Sequence, residues 1–137
     1  MTDFARLMSD YFVKYLAGQK GSGSNTMKTY RDTFVQLLEF MDEKKHIRAD
    51  CIEVDSFSYD IINEFLEYLE KEKRVSISTR NNRLAAIRSF FKYTGYHEPK
   101  YLNISTSIRE ISKKKTEGRQ MNYLSVNAME HFLNSFD

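Results

Sequence analysis

Phe4, Leu7, Met8, Tyr11, Phe12, Tyr15 and Leu16 recur at spacings of three and four. That is the period of a helix with one face on a core, and it predicts a first helix over about residues 3–17. The stretch GQKGSGS (18–24) places three glycines after it and reads as a flexible break. Met27, Tyr30, Phe34, Leu37, Leu38 and Met41 form the stripe of a second helix, capped by Ser24 or Asn25 and reaching about Lys44. Residues 46–58 have no helical period and form a connector. Ser58 can cap a third helix over 59–73, lined by Ile61, Ile62, Phe65, Leu66 and Leu69. SISTRNNRLAAIRSFFKY (76–93) carries Leu84, Ile87 and Phe91 on one stripe and predicts a fourth helix ending near Gly95, with Pro99 beyond as a stop signal. A short fifth helix over about 100–111 presents Tyr101, Ile104, Ile108 and Ile111 on one side. Residues 112–123 read as a linker. Ser125 then caps a last amphipathic segment with Met129, Phe132, Leu133 and Phe136 facing one way, expected to open a further domain.

One proline and five glycines in 137 residues argue against an all-β or loop-rich chain. The expected class is all-α: a bundle of four main helices and a short fifth, then a linker and a helix. Ten Phe and nine Tyr can fill the core without tryptophan. Cys51 stands alone, which rules out an internal disulfide, fits a reducing cytosol, and suggests a packing role in the connector. No apolar run approaches the roughly 18 residues of a membrane span. The net charge of +2 conceals a division. Residues 39–73 hold eleven acids and five bases, a balance of −6; residues 74–120 hold eleven bases and three acids, a balance of +8. A chain divided in this way can turn one face toward a polyanion.

The fourth helix spends its first turns on Ser78, Thr79, Arg80, Asn81, Asn82 and Arg83. On a wheel of 100° per residue, Ile77, Leu84, Ile87 and Phe91 cluster, while Thr79, Asn82, Arg83 and Ala86 fall on the opposite half. Small residues beside guanidinium groups suit close approach to a duplex, and a helix N-terminus already favours an anion. The second helix opens in the same style with Asn25, Thr26, Lys28, Thr29 and Arg31. A capping cluster on a solvated helix is the competing reading of both starts. Lys113, Lys114 and Lys115 are either a solvated linker or a track for a phosphate backbone. His46, His97 and His131 have no partner at metal-ligand spacing, and no glycine-rich loop offers a nucleotide cradle, so no cofactor or metal is expected. Glu64, Glu67, Glu70 and Glu72 read as a solvated acidic face.

NTMKTYRDTFVQLLEFM (25–41) and STRNNRLAAIRSFFKYTG (78–95) resemble the second and fourth helices of the N-terminal core-binding domain of tyrosine recombinases, the phage-integrase family. IEVDSFSYDIINEFLEYL (52–69) is similar to that domain's third helix and its lead-in, and NYLSVNAMEHFL (122–133) resembles the opening of the family's catalytic domain. The resemblance implies a SAM-like core-binding domain over 1–111 and, over 112–137, a linker with the first helix of a truncated catalytic domain. It implies one half of a clamp on double-stranded DNA, a bacterial cytoplasmic and nucleoid-associated setting, the protein's own catalytic domain as partner, and room for self-association on DNA. The family's His-x-x-Arg motif does not occur in this chain, so only binding roles carry over. They fall on Thr26, Lys28, Arg31, Thr79, Arg80, Arg83 and Arg88, with the linker lysines after them. A helical protein-interaction module with a basic face, and a simple helix-turn-helix regulator, are the rivals. The latter needs a tighter joint than KRVSIS (73–78) offers.

Overall fold

The computed structural model describes residues 2–19 and 24–116. Its elements are α1 (Asp3–Asp10), running on as a π-helical segment (Tyr11–Gln19), α2 (Ser24–Lys45), α3 (Tyr59–Lys71), α4 (Ile77–His97) and α5 (Leu102–Arg109). Short 3-10 turns at Ala49–Cys51, Val54–Ser56 and Pro99–Tyr101 fill the joints. No strand occurs among the described residues, and the all-α class holds. The last predicted amphipathic segment and residues 117–123 of the linker lie outside the described residues.

Side-chain caps start three of the helices. Thr2 Oγ1 accepts from the Ala5 N–H at 3.1 Å, Ser58 Oγ from Ile61 at 3.2 Å, and Ser76 Oγ from Thr79 at 3.0 Å. Two helix ends close with a residue in the left-handed region. His46 (φ 60°) lets the Ile47 N–H reach the Met41 carbonyl at 3.1 Å; Arg74 (φ 56°) lets Val75 reach Leu69 at 3.1 Å. The joint between α3 and α4 is therefore a helix-capping turn that hands over to Ser76.

Phe90 of α4 is fully buried at the centre of the core. Its ring lies 5.5 Å from Phe4, Tyr11 and Phe34 and 5.1 Å from Phe91, mostly edge-to-face, joining α1, α2 and α4. The first helix departs from the continuous α-helix expected over 3–17. Its buried positions step from Phe4 to Leu7 to Tyr11, then by five to Leu16, and the wider π turn keeps Leu16 on the inner side. The fourth helix, expected to end near Gly95, runs to His97. Gly95 is where α5 crosses: a Cβ there would lie 2.7 Å from both Cβ and Oγ of Ser105. Cys51, expected to pack in the connector, is exposed, because the side chains that turn inward there are Ile52, Val54 and Phe57.

Candidate nucleic-acid interface

Three adjoining clefts run across α4. One joins the start of α2 to it: Asn25, Thr26, Thr29 and Tyr30 face Asn82 and Ala85. A second brings Ser78, Asn81 and Asn82 beside Lys113, Lys114, Lys115 and Thr116. The third is lined by Tyr15, Tyr30, Arg88, Ser89, Lys92, Arg109 and Lys113, among others. Asn81, Asn82 and Ala85 are each shared by two clefts, so the three form one surface. Among the described residues six cations line it and no carboxylate does. The two polar helix starts thus lie side by side.

The solvent stripe of α4 is turned relative to the wheel. Ser78, Asn82, Ala85, Ser89 and Lys92 recur at three and four on the outer side, roughly 100° from the half centred on Thr79, Arg83 and Ala86. The cause is α2. Arg83 Nη1 donates to the Thr29 carbonyl at 3.4 Å and to Thr33 Oγ1 at 3.2 Å, while Thr33 Oγ1 donates to the Thr29 carbonyl at 2.9 Å. Arg83 is a cross-link between α2 and α4, and Ala86, three residues on, is completely buried. Thr79 is taken up by the cap: its N–H and hydroxyl both bond Ser76 Oγ. Capping at this end rests on Ser76, which leaves Ser78 and Asn82 free of that duty.

Arg80 is 5% exposed, the most buried charged residue described. Its Nη1 donates to Asn81 Oδ1 at 3.0 Å and to the Ser112 carbonyl at 3.1 Å, and its Nε lies 3.6 Å from Glu70 Oε2. Burial pushes its pKa down, and the Glu70 carboxylate works against that shift; a guanidinium remains charged nonetheless. Lys114 bonds Glu70 Oε2 at 2.8 Å, so Glu70 belongs to this cluster and not to a purely solvated acidic face. Glu64 and Glu72 pair with Lys45 and Lys44 on the far side of α3. Arg88 Nη1 reaches the Ile111 carbonyl at 3.5 Å. On α2, Lys28 pairs with Asp32 at 3.1 Å, and Asn25, Thr26 and Arg31 are exposed.

Lys92 and Arg109 were missed from sequence. Lys92 sits amid an apolar run, and Arg109 ends a helix with little other charge, so neither formed part of a polar helix start. The usable signal was spacing: Lys92 lies three and seven residues beyond Ser89 and Ala85 on the outer stripe. Among the described residues no group of His, Cys, Asp and Glu could hold a metal ion, and no helix is long and apolar enough to cross a membrane.

The chain is similar to two Sinorhizobium fredii proteins named as integrase/recombinases. It is 30% identical to y4rC over 88% of this chain and 36% of that protein, and 32% identical to y4rD over 81% and 40%. It is also 28% identical to the tyrosine recombinase XerC of Natranaerobius thermophilus, over 90% of this chain and 39% of the relative. The chain therefore spans well under half the length of these relatives. No solved structure matches it. The family model for the phage integrase N-terminal SAM-like domain matches residues 10–100, most of the described bundle. The chain belongs to the phage integrase N-terminal SAM-like domain family.

Proposed function

We propose that this domain grips duplex DNA as one half of the clamp of a tyrosine recombinase, with its basic face on the duplex. The observation that carries the reading is the continuous surface across α4, lined among the described residues by six cations and no carboxylate. Ala85 at its middle lets the helix approach a groove closely, and Asn25, Thr26, Thr29, Ser78 and Asn82 supply neutral donors and acceptors for base edges or phosphates. Lys28, Arg31, Arg88, Lys92, Arg109, Lys113 and Lys115 supply the charge. Thr79, Arg80, Arg83 and Lys114, also candidates from sequence, act here by holding the face in shape. Residues 1–111 form the DNA-binding unit, and 112–137 lead into the catalytic domain of a longer protein. That protein acts in DNA integration or recombination, in the bacterial cytoplasm at the nucleoid, and self-associates on its site. The present chain binds without cleaving.

Titration of labelled duplex at increasing salt tests this. Expected is weak binding, on the order of 10⁻⁴–10⁻⁶ M, that falls steeply with salt. Supercoiled plasmid should be neither relaxed nor joined covalently to the protein. Binding that ignores salt, or a covalent adduct, contradicts the reading.

A second reading, a protein-interaction module, draws on the groove of about 490 Å³ between α4 and α5, where Tyr96 and Leu102 are exposed beside Tyr15 and Tyr93. Preference for an acidic polypeptide over duplex DNA would favour it.

A further inference from the structure

The segment after α5 does not leave the domain freely. Ile111 is buried at 2% exposure and anchors its start. From there the main chain is held on alternate residues. The Ser112 carbonyl accepts from Arg80 Nη1 at 3.1 Å. The Asn81 amide then pairs with the Lys114 backbone as a neighbouring strand would: the Lys114 N–H donates to Asn81 Oδ1 at 2.9 Å, and Asn81 Nδ2 donates to the Lys114 carbonyl at 2.8 Å. Arg80 also donates to Asn81 Oδ1 at 3.0 Å, which fixes the orientation of that amide. Glu70 lies beneath, 2.8 Å from Lys114 Nζ and 3.6 Å from Arg80 Nε. The core has no use for a guanidinium at position 80. Leucine or methionine would fill the space without the desolvation of a charge. What Arg80 alone provides is a donor to a main-chain carbonyl 32 residues later in the chain.

We propose that Glu70, Arg80 and Asn81 form a latch that fixes the path of residues 112–115 along the start of α4, so that Lys113 and Lys115 stand in the DNA face. The alternation explains the division of labour. Ser112 and Lys114 are spent on the latch, whereas Lys113 and Lys115 have no bonded partner among the described residues and line the same cleft as Ser78 and Asn82. A loose tail would lose main-chain freedom when its lysines bind a phosphate; a segment already held has lost that part beforehand. Arg80, Asn81 and Glu70 are positioning residues. The inference rests on the DNA reading for its purpose, but the latch itself is measurable without DNA.

The test uses the 137-residue chain and the Asn81→Ala variant, because Asn81 is half-exposed and its loss leaves the core intact, unlike loss of Arg80. Hydrogen exchange without DNA should show the Lys114 amide protected in the parent and at least about tenfold less protected in Asn81→Ala, while amides of the α4 core such as Phe90 stay unchanged. Glu70→Gln should weaken the same protection by a smaller factor. Salt-dependent binding to a duplex is then measured with and without Lys113→Ala/Lys115→Ala. The paired substitution should flatten the slope of log affinity against log salt by nearly two units in the parent, and by clearly less in the Asn81→Ala background. An unprotected Lys114 amide in the parent, or protection indifferent to Asn81→Ala, overturns the latch. An equal effect of the lysine pair in both backgrounds overturns its role in placing them. Absence of salt-dependent binding by the parent overturns the DNA reading, while exchange at Lys114 still decides the latch.

Discussion

Arg83 and Lys92 are two cations of one helix with opposite employment. Arg83 is bound to Thr29 and Thr33 of α2, and Lys92 has no ion pair among the described residues. A hydrogen bond from a charged donor contributes about 1.5–3 kcal/mol. Arg83→Ala should therefore lower stability by about 1–3 kcal/mol, read as a fall in urea midpoint. Lys92→Ala should leave stability within about 0.5 kcal/mol of the parent, as for most surface changes. In DNA binding the order reverses. Lys92→Ala, like Arg31→Ala on α2, should flatten the salt slope by about one unit for each phosphate that is no longer neutralised, whereas Glu67→Ala on α3 should not. A stable Arg83→Ala protein with a flattened slope, beside an unaffected Lys92→Ala, would reverse the assignment of these two residues.

At the scale of elements, the packing of α4 on α5 turns on Gly95. Alanine is the better helix former by about 1 kcal/mol, but the added Cβ would meet the Ser105 Cβ at 2.7 Å, and a Cβ cannot rotate away. Overpacking of this kind costs roughly 1–3 kcal/mol. Gly95→Ala should thus lower Tm, and Ser105→Gly should recover part of the loss in the double variant. A Tm that rises in Gly95→Ala would show that α5 yields. The turn from α3 to α4 offers the opposite change. Arg74 holds a left-handed conformation that side chains resist by about 1–2 kcal/mol, and glycine gives back part of that in the entropy of the unfolded chain. Arg74→Gly should raise Tm by a few degrees, on the order of 0.5–1 kcal/mol.

Across the whole molecule, Asp3 ties the beginning of the chain to two distant segments. Its carboxylate accepts from the Val54 N–H at 3.1 Å and from the Tyr101 hydroxyl. Burial alone would push its pKa up, but these bonds together hold it below the ordinary 3.8. A carboxyl whose folded pKa is depressed stabilises the fold above its unfolded value and loses that contribution as pH falls through the folded one. Asp3→Asn should accordingly have a lower Tm than the parent at pH 7, with the gap narrowing below about pH 4. A gap that is constant from pH 7 to pH 2 would mean that the ionised carboxylate contributes nothing. The Tyr101 phenol is pushed in the opposite direction by the same bond, so its contribution is present below the ordinary phenol value of 10 and fades as pH rises past it.

Periodicity alone determined most of the architecture. The stripes on the helices, the Ser58 cap and the stop near Pro99 are local, and local spacing records them because a helix repeats every 3.6 residues whatever it packs on. The polar starts of α2 and α4 were legible for the same reason, as was the family, whose pattern is carried by those stripes. What no wheel could supply was which side of α4 would be covered, because both flanks of its apolar stripe carry polar residues. Packing of α2 onto Arg83 decided that, and turned Ser78, Asn82, Ala85 and Lys92 outward instead. The wheel sets Arg80 beside the core stripe, so its burial was partly legible, but its partners Glu70 and Ser112 lie 10 and 32 residues away and only the fold brings them together. The π turn after Asp10 and the exposure of Cys51 also follow from what each segment meets across the core. A sequence states which residues prefer an interior; the tertiary structure decides which of the remaining polar groups become its braces and which are left to face a partner.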